Sequence, residues 1–548
     1  MSSKPIPSTD TESTSVVELF DLSDDLLTRI ALLLADTDLS SFRLVCKNFR
    51  ALSAPPKAIG RGPFFKSLTL LERAWRQPGF VLRDHSKMWK LATSVASVDV
   101  LDWMRDHLPI DAMRGMPHAC VAAAEAGNFE ALQWARKEGC AWDATTCEAA
   151  ARGGHLQLLE LLHSICWCDL STDTCKAAAG GGHLAVLQWA RANGGEWLSD
   201  TCSHAARGGH LECLQWARDN GCEWAATTCW FAAEKGHLAV LMWARSNGCP
   251  WDQYTCRAAA EGGHLDVLKW ARANGCPWDE GVCSGAAKYG HLDVLKWART
   301  NGCEWDELTC AMAAYSGRLD IVQWVRANGG TWSDTTSYYA AMSGNLSVLE
   351  WVHANGCEHH VNTCRAAAQF GHLAVLKWAR ANDYTWDSAV CSAAAEGGHL
   401  AVLKWARTNG CVWGYRTCSE AAGAGHLSTL QWARANGCKW STDTCLLAAQ
   451  GGHLAVLQWA RANGCEWDSA TASAAAGHGQ LAVLKWALAN GCEWDSHACA
   501  WAASNNHLEV MKWAAENGRP WDKEKCLRSS RSDWLTLRTW IKSQIDSE

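Results

Sequence analysis

Long hydrophobic runs are absent from the beginning of this 548-residue sequence. The longest purely apolar stretch near the N-terminus, residues 30–35, is far too short to cross a bilayer. The chain does not open with a basic segment followed by an apolar one, so we expect no secretory signal. Residues 1–15 are polar and rich in Ser and Thr, which predicts a disordered tail. We therefore expect an intracellular protein, cytoplasmic or nuclear, with no membrane partner.

An excess of basic residues is also lacking, because the formal net charge is −7. A dedicated nucleic-acid binder usually carries a basic surface, so we expect no nucleic-acid partner. The chain contains 28 cysteines. In a small secreted protein this number would predict disulfides, but without an export signal it favours a reducing compartment.

Catalytic signatures are missing as well. The sequence contains no nucleophile elbow, no P-loop, no zinc-protease helix and no unique carboxylate pair. We therefore expect a protein that is not an enzyme and that has no catalytic residues, no cofactor and no metal.

The dominant feature is a tryptophan that recurs every 27 residues from Trp189 to Trp540. The series extends upstream less regularly through Trp134 and Trp103. Periods of 20–50 residues are typical of stacked supersecondary units, each of which contacts only its neighbours. The sequence therefore predicts a repeat array whose general role is to hold a partner, and we expect a monomer.

One copy, residues 251–279, shows the pattern. Thr255 is predicted to cap a short first helix of small residues, Cys256–Glu261. A second helix follows at His264–Asn274 with apolar residues at helical spacing. We expect its Trp270 to be buried against the Ala-rich first helix, a contact that would contribute about 2–3 kcal/mol.

These copies resemble the ankyrin repeat. They read Thr-Cys-x-Ala-Ala-Ala, Gly-His-Leu-x-Val-Leu and Asn-Gly-Cys-x-Trp-Asp, whereas ankyrin repeats read Thr-Pro-Leu-His-x-Ala-Ala, Gly-His-Leu-x-Val-Val and Asn-Gly-Ala-Asp-Val-Asn. An ankyrin unit has about 33 residues, so about six are missing where ankyrins form a projecting hairpin. The resemblance implies an all-α fold, an α-solenoid of ankyrin-like helix pairs with shortened or absent hairpin fingers. We assign it to residues 88–526, with a capping half-repeat at 527–548.

A histidine occupies one slot in most copies. These residues are His155, His183, His210, His237, His264, His291, His372, His399, His426, His453 and His507. They could form a ladder of metal or acid–base sites, or they could be turn histidines bonded to neighbouring backbone. The second interpretation is favoured because Arg318, Asn345 and Gln480, which also donate hydrogen bonds, fill the same slot elsewhere.

Cysteines recur in pairs such as Cys222 and Cys229, with six residues between them. Zinc sites favour two to four intervening residues. Gly330 and Tyr384 replace individual members without breaking the repeat. We therefore expect the cysteines to be small buried hydrophobic residues, with zinc binding or disulfides as the alternative.

Residues 16–54 do not repeat and resemble an F-box. The residues that match are Leu22, Leu26, Ile30, Leu34, Asp38, Leu39, Arg43, Leu44, Val45, Cys46, Lys47, Phe49 and Arg50. Ser23 stands where proline is usual. The resemblance implies docking to a Skp-type adaptor of a cullin–RING ubiquitin ligase, and residues 55–87 would form a helical linker. The adaptor-facing or core residues would be Leu22, Leu26, Ile30, Leu39, Val45 and Phe49.

Target recognition is expected where the copies differ, since aromatic residues and arginine are the usual anchors of interfaces. The candidates are Trp230, Tyr254, Arg257, Tyr338, Tyr339, His359, Arg365, Tyr415 and Arg416. Relaxed surface drift is the alternative explanation of this variation.

The sequence thus predicts the substrate-recognition subunit of a Skp–cullin–F-box ligase, with an unknown protein target. A scaffold or decoy without a ligase link is the alternative, and a metal- or redox-responsive array is a third hypothesis. The Ala-, Gly- and Trp-rich copies resemble arrays paired with F-boxes in giant DNA viruses, notably pandoraviruses, and in some algae and oomycetes. If the protein is viral, it would act in the host cell.

Overall fold

A computed structural model describes residues 85–107, 119–140, 142–166, 170–414, 416–495, 497–532 and 534–546. These ranges contain 34 helices and no strand, which confirms the predicted all-α fold. None of the described helices is both long and apolar enough to span a bilayer. The predicted tail, the F-box-like segment with its candidate residues, and the linker up to residue 84 lie outside the described residues.

The helices alternate between two kinds. The first helices of the repeats are His85–Val95, Ala119–Ala126, Ala144–Gly153, Thr172–Gly181, Ser199–Gly208, Ala226–Glu234, Gln253–Glu261, Gly281–Tyr289, Glu307–Tyr315, Thr336–Ser343, Thr363–Gln369, Ser388–Glu396, Thr417–Gly423, Thr442–Gln450, Ser469–Gly477, His497–Ser504 and Lys523–Ser529. The second helices are Val98–His107, Phe129–Lys137, Leu156–Cys166, Leu184–Ala192, Leu211–Asp219, Leu238–Ser246, Leu265–Ala273, Leu292–Thr300, Leu319–Ala327, Leu346–Ala354, Leu373–Ala381, Leu400–Thr408, Leu427–Ala435, Leu454–Ala462, Leu481–Ala489, Leu508–Glu516 and Leu535–Asp546.

The described residues form two compact units. The first unit extends to Ala259 and includes Asp266–Pro277, and the second comprises Ala260–Leu265 and the residues from Trp278 onward. Within each unit, the first helix of a repeat packs on the first helices of the adjacent repeats and on its own second helix. Short loops without strands connect the repeats, so the hairpin fingers of ankyrin repeats are absent from the described residues.

An aspartate, rather than the predicted threonine, caps many of the first helices. The Asp306 carboxylate accepts a hydrogen bond from the backbone N–H of Thr309 at 3.1 Å, and Asp143 forms a capping box with Thr146. Thr255 lies at the third position of helix Gln253–Glu261 and is buried. The predicted threonine cap is therefore wrong, because the carboxylate three residues earlier satisfies the exposed N–H groups and the threonine faces the core.

The core between the helices is built from small residues of the first helix and branched residues of the second. In one repeat Cys229 and Ala232 are fully buried, together with Leu241 and Ala244. Neighbouring first helices pack directly on each other through such small side chains. Branched side chains of the second helix fill the remaining space.

The sequence analysis predicts that the recurring tryptophans are buried against the first helix, and this prediction is wrong. Most are half-buried, and in most repeats the helix tryptophan meets the loop tryptophan before it edge to face, as Trp197 and Trp216 do with ring centroids 5.6 Å apart. Trp521 and Trp540 instead stack with nearly parallel rings. The guanidinium carbon of Arg191 lies 4.1 Å from the Trp197 ring centroid, and the same side chain donates to the carbonyl of Gly195. Arginine, loop tryptophan and helix tryptophan thus form a repeated cation–π and aromatic stack.

The recurring histidine links each repeat to the one before it. His372 Nε2 lies 3.1 Å from the carbonyl oxygen of Met342, 30 residues upstream, and His155 and His291 make the equivalent contact. Where the histidine is replaced, Arg318 donates to a different carbonyl of the preceding repeat, that of Gly290, 28 residues upstream. The interpretation of these histidines as turn residues bonded to neighbouring backbone is confirmed.

The same ring requires a glycine beneath it. Gly344 has a φ of +73°, and a Cβ built on it would lie 2.4 Å from ring atoms of His372. Glycine is therefore needed there for two reasons, the left-handed backbone and the close approach of the ring. Gly356 has a similar φ of +79° but no atom within 4 Å of its Cβ position.

We predict that Gly344→Ala destabilises the protein more than Gly356→Ala. Both variants incur about 1–2 kcal/mol for a left-handed alanine. Gly344→Ala additionally displaces His372 and leaves the Met342 carbonyl without its donor, an extra loss of about 1–2 kcal/mol. Urea unfolding followed by tryptophan fluorescence measures both, and equal losses would show that the histidine link contributes nothing.

Candidate protein-interaction surface

The predicted target-binding residues differ in exposure. The structure exposes Trp230, Tyr254, Arg257, His359, Arg365 and Arg416, and it half-buries Tyr338 and Tyr339. Tyr415 lies outside the described residues. Trp230 is 37% exposed and Tyr254 52%, so both rings can reach a partner without rearrangement of the backbone.

One aromatic cluster lies in the first unit. We call it the Trp230 cluster, and it consists of His204, Arg207, Trp230 and Phe231. The Trp230 and Phe231 rings stack at 5.1 Å, the His204 ring lies 6.3 Å from Phe231, and the Arg207 guanidinium lies 5.2 Å from the same ring. Sequence reasoning missed the roles of His204 and Arg207, although their position on the preceding first helix, 27 residues before Phe231 and Glu234, was a usable signal.

A second cluster lies in the second unit. This Tyr338 cluster consists of Tyr315, Tyr338, Tyr339 and His360. Tyr339 is 6.0 Å from Tyr315 and 5.4 Å from Tyr338, and Tyr338 is 5.4 Å from His360. The helices that carry the tyrosines, Glu307–Tyr315 and Thr336–Ser343, pack directly on each other. The cluster offers rings and hydroxyl groups on a surface held by backbone packing, which suits a protein partner.

His359 does not belong to either cluster. It takes the place of a loop tryptophan, and His353 takes the place of the arginine that normally stacks on that tryptophan. Their ring nitrogens, Nε2 of His359 and Nδ1 of His353, lie 3.1 Å apart, and His359 stacks on Tyr384 at 3.7 Å. Desolvation, followed by the neighbouring His353, lowers the pKa of His359 below its ordinary value.

The remaining candidates are not members of either cluster. Arg416 forms an ion pair with Glu420, its Nε atom 3.0 Å from Oε1, on an exposed part of helix Thr417–Gly423 and its approach. Exposed pairs of this kind contribute little to stability, so Arg416 could exchange Glu420 for a partner's carboxylate at small cost. Within the described ranges, no group of three or more His, Cys, Asp or Glu residues is arranged to hold a metal ion.

The cysteines are mostly the buried residues that the sequence predicted, with one exception. The free cysteines of the described residues are buried, but Cys147 is disulfide-bonded. The cysteines that meet in space are not the ones that are closest in sequence. Cys391 and Cys411, 20 residues apart, place their sulfur atoms 3.1 Å from each other. The first-helix cysteine therefore meets the loop cysteine of its own repeat, because the second helix returns the chain alongside the first.

The segment that precedes the array matches a known domain family. Residues 19–57 match the F-box domain. The chain contains an F-box domain. The match overlaps the predicted range 16–54 and includes all six residues proposed to face the adaptor or fill the core. The placement of those side chains lies outside the described residues.

Comparison with solved structures returns helical repeat proteins. The ankyrin repeat domain of human ASB11 is 18% identical with a TM-score of 0.25, over 29% of this chain and 84% of that chain. The pentatricopeptide repeat protein PPR10, in complex with an 18-nt psaJ RNA element, is 12% identical with a TM-score of 0.30 over 94% of both chains. PPR10 from maize is 14% identical with a TM-score of 0.26, over 96% of this chain and 99% of that chain. No curated protein matches the chain. The helix pairs themselves, rather than these likenesses, define the fold.

We predict that the double variant His353→Arg/His359→Trp, which restores the arginine–tryptophan pair of the other repeats, is less sensitive to acid. The lowered pKa of His359 means that the unfolded chain, with an ordinary histidine pKa of about 6.5, binds protons more readily than the folded chain. The stability linked to this pKa is therefore present above about pH 6.5 and is lost as the pH falls through the folded value.

Thermal unfolding between pH 7.5 and 5 measures this difference. The melting temperature of the double variant should rise relative to that of the original chain as the pH falls. The other histidines of the array are common to both proteins and serve as the internal control. A difference that stays constant over the whole pH range would contradict the assignment.

Proposed function

We propose that this protein is a substrate-recognition subunit of a Skp–cullin–F-box ubiquitin ligase. The single observation that carries the proposal is an F-box domain at residues 19–57 joined to a helical repeat array whose two aromatic clusters each present an exposed ring, Trp230 and Tyr315. The F-box would bind a Skp-type adaptor through Leu22, Leu26, Ile30, Leu39, Val45 and Phe49. The array would bind a protein target.

The repeat array is suited to holding a target because its surface residues stand on tightly packed helices. The tyrosine rings of the Tyr338 cluster lie on two first helices that also carry fully buried alanines, such as Ala314 and Ala340. Rings held in this way lose little freedom on binding, which favours affinity. We therefore place the target on the first-helix surface, with the Trp230 cluster and the Tyr338 cluster as its anchors.

The chain would contribute no catalytic group to ubiquitin transfer. Its part would be to hold the target close to the catalytic subunits, which raises the effective concentration of the reacting groups. This role requires two independent interactions in one chain, one by the F-box and one by the array. Each can be removed separately.

The adaptor interaction is tested with the full chain and a purified Skp-type adaptor. We expect Leu26→Asp and Val45→Asp each to weaken adaptor binding by at least about 30-fold, because a charge would enter an apolar contact or core. Val361→Asp, at a position of the array that is 72% exposed, is the control and should bind as the original chain does. Isothermal titration calorimetry gives the affinities. If the original chain does not bind the adaptor, the ligase assignment fails and a scaffold or decoy remains.

The target interaction is tested by proximity labelling with the full chain, followed by binding measurements on the partner that is identified. We expect Trp230→Ala/Phe231→Ala or Tyr338→Ala/Tyr339→Ala to reduce target affinity by at least about tenfold, as truncation of interface anchors does. Val412→Ala, an exposed loop residue outside both clusters, is the matched control. If neither double variant changes the affinity, the first-helix surface is not where the target binds. Normal turnover of a tightly bound target in cells would favour the scaffold or decoy.

A further inference from the structure

The array contains a regular series of thiol pairs, each made by a first-helix cysteine and the loop cysteine 20 residues later. In the described residues the sulfur atoms of one pair, Cys391 and Cys411, lie 3.1 Å apart. Cysteines occupy the same two positions in other repeats, as Cys120/Cys140, Cys202/Cys222, Cys229/Cys249, Cys256/Cys276, Cys283/Cys303, Cys418/Cys438 and Cys445/Cys465. All are buried, and none is used by the proposed function.

The geometry of the repeat dictates this proximity. Two first-helix cysteines face a glycine in the loop slot rather than a second cysteine. A Cβ built on Gly195 would lie 3.2 Å from the sulfur of Cys175, and one built on Gly330 would lie 2.8 Å from that of Cys310. Any cysteine placed in the slot would therefore put its side chain against the first-helix sulfur.

One first-helix cysteine, Cys147, is disulfide-bonded in the structure. It follows Thr146 in helix Ala144–Gly153, as Cys391 follows Val390 in helix Ser388–Glu396. A sulfur at this position of the repeat is therefore compatible with a covalent bond to a second sulfur.

We propose that the thiol pairs are sites of reversible oxidation, in which a peroxide converts each pair into a disulfide between the first helix and the loop of one repeat. The loop thiolate attacks one peroxide oxygen, which forms a sulfenic acid and releases hydroxide. The first-helix thiol then attacks the sulfenic sulfur, forms the S–S bond and releases water. In sum, two thiols and one hydrogen peroxide give one disulfide and two waters, and the peroxide accepts both electrons.

The electrostatics of a pair favour the loop cysteine as the group that reacts first. The hydrogen bond from Cys391 lowers the pKa of Cys411, and Arg407, which also donates to the Cys411 carbonyl, acts in the same direction. Cysteines without a thiol in the loop slot lack this stabilisation. Burial raises the pKa of Cys310 and of Cys364 to about 12, so these residues remain protonated thiols.

Mass spectrometry of the full chain tests the proposal. The reduced protein is treated with hydrogen peroxide, denatured in an alkylating reagent and digested with trypsin, which cleaves between Cys391 and Cys411 at Lys404 and Arg407. We expect a peptide cross-linked from Cys391 to Cys411, reversed by dithiothreitol. Cys310 and Cys364, with no thiol in the loop slot, are the matched controls within the chain and should carry the alkyl group.

Two variants and a second measurement complete the test. Cys411→Ala should remove the cross-link to Cys391 and leave the other pairs unchanged. Oxidation should raise the melting temperature of the original chain, because each disulfide restricts the unfolded state, and raise it less in Cys411→Ala. Alkylation of both Cys391 and Cys411 after peroxide treatment of the folded chain would overturn the proposal. So would cross-links that join Cys391 to cysteines other than Cys411.

Discussion

The contact on which the rest of the array depends is the histidine ring that lies over a left-handed glycine of the preceding repeat. The ring satisfies a carbonyl at the end of the preceding first helix, as His372 does for Met342, and it fills the space that only glycine leaves. This link joins one helix pair to the next, beside the direct packing of adjacent first helices. Arg318 and Asn345 also donate to a carbonyl of the preceding repeat, so the side-chain link does not require an imidazole.

The sequence predicted the helices well because their signals are local. Apolar spacing, glycines and the 27-residue period set the elements and their order. Prediction from the sequence was wrong for contacts between segments that are distant along the chain. The side chain of Thr255 allows a capping role, but the carboxylate of Asp252, three residues earlier, accepts from the backbone N–H of Tyr254. The apolar spacing places Trp270 in the core, yet its ring meets that of Trp251 edge to face, a contact between a loop and a helix that helical spacing alone does not reveal.

The candidate surface can be predicted only in part from the sequence, because it too is formed by contacts between residues of different repeats. Trp230, Tyr338 and Tyr339 stand out because they vary among near-identical copies. Their neighbours His204 and Tyr315 belong to the preceding repeat and become visible only when the first helices are stacked. His359 also differs from the residue at its position in the other copies, but it contacts His353 and Tyr384 rather than these residues. Sequence variation between copies identifies candidate binding residues. The packing of the first helices determines which of these residues lie next to each other.

In the second unit the tryptophans recur in nearly every repeat, whereas the thiol pairs are interrupted by a group of repeats that have none. Thiol pairs occur before residue 304 and after residue 390, but the repeats between them have Gly330, Ser337 or Tyr384 at a paired position. That interval contains the Tyr338 cluster. In an oxidised chain, disulfides would make the flanking repeats more rigid, whereas the repeats between them would keep their original flexibility. Mechanical strain on the unit would then concentrate in the segment that carries the Tyr338 cluster.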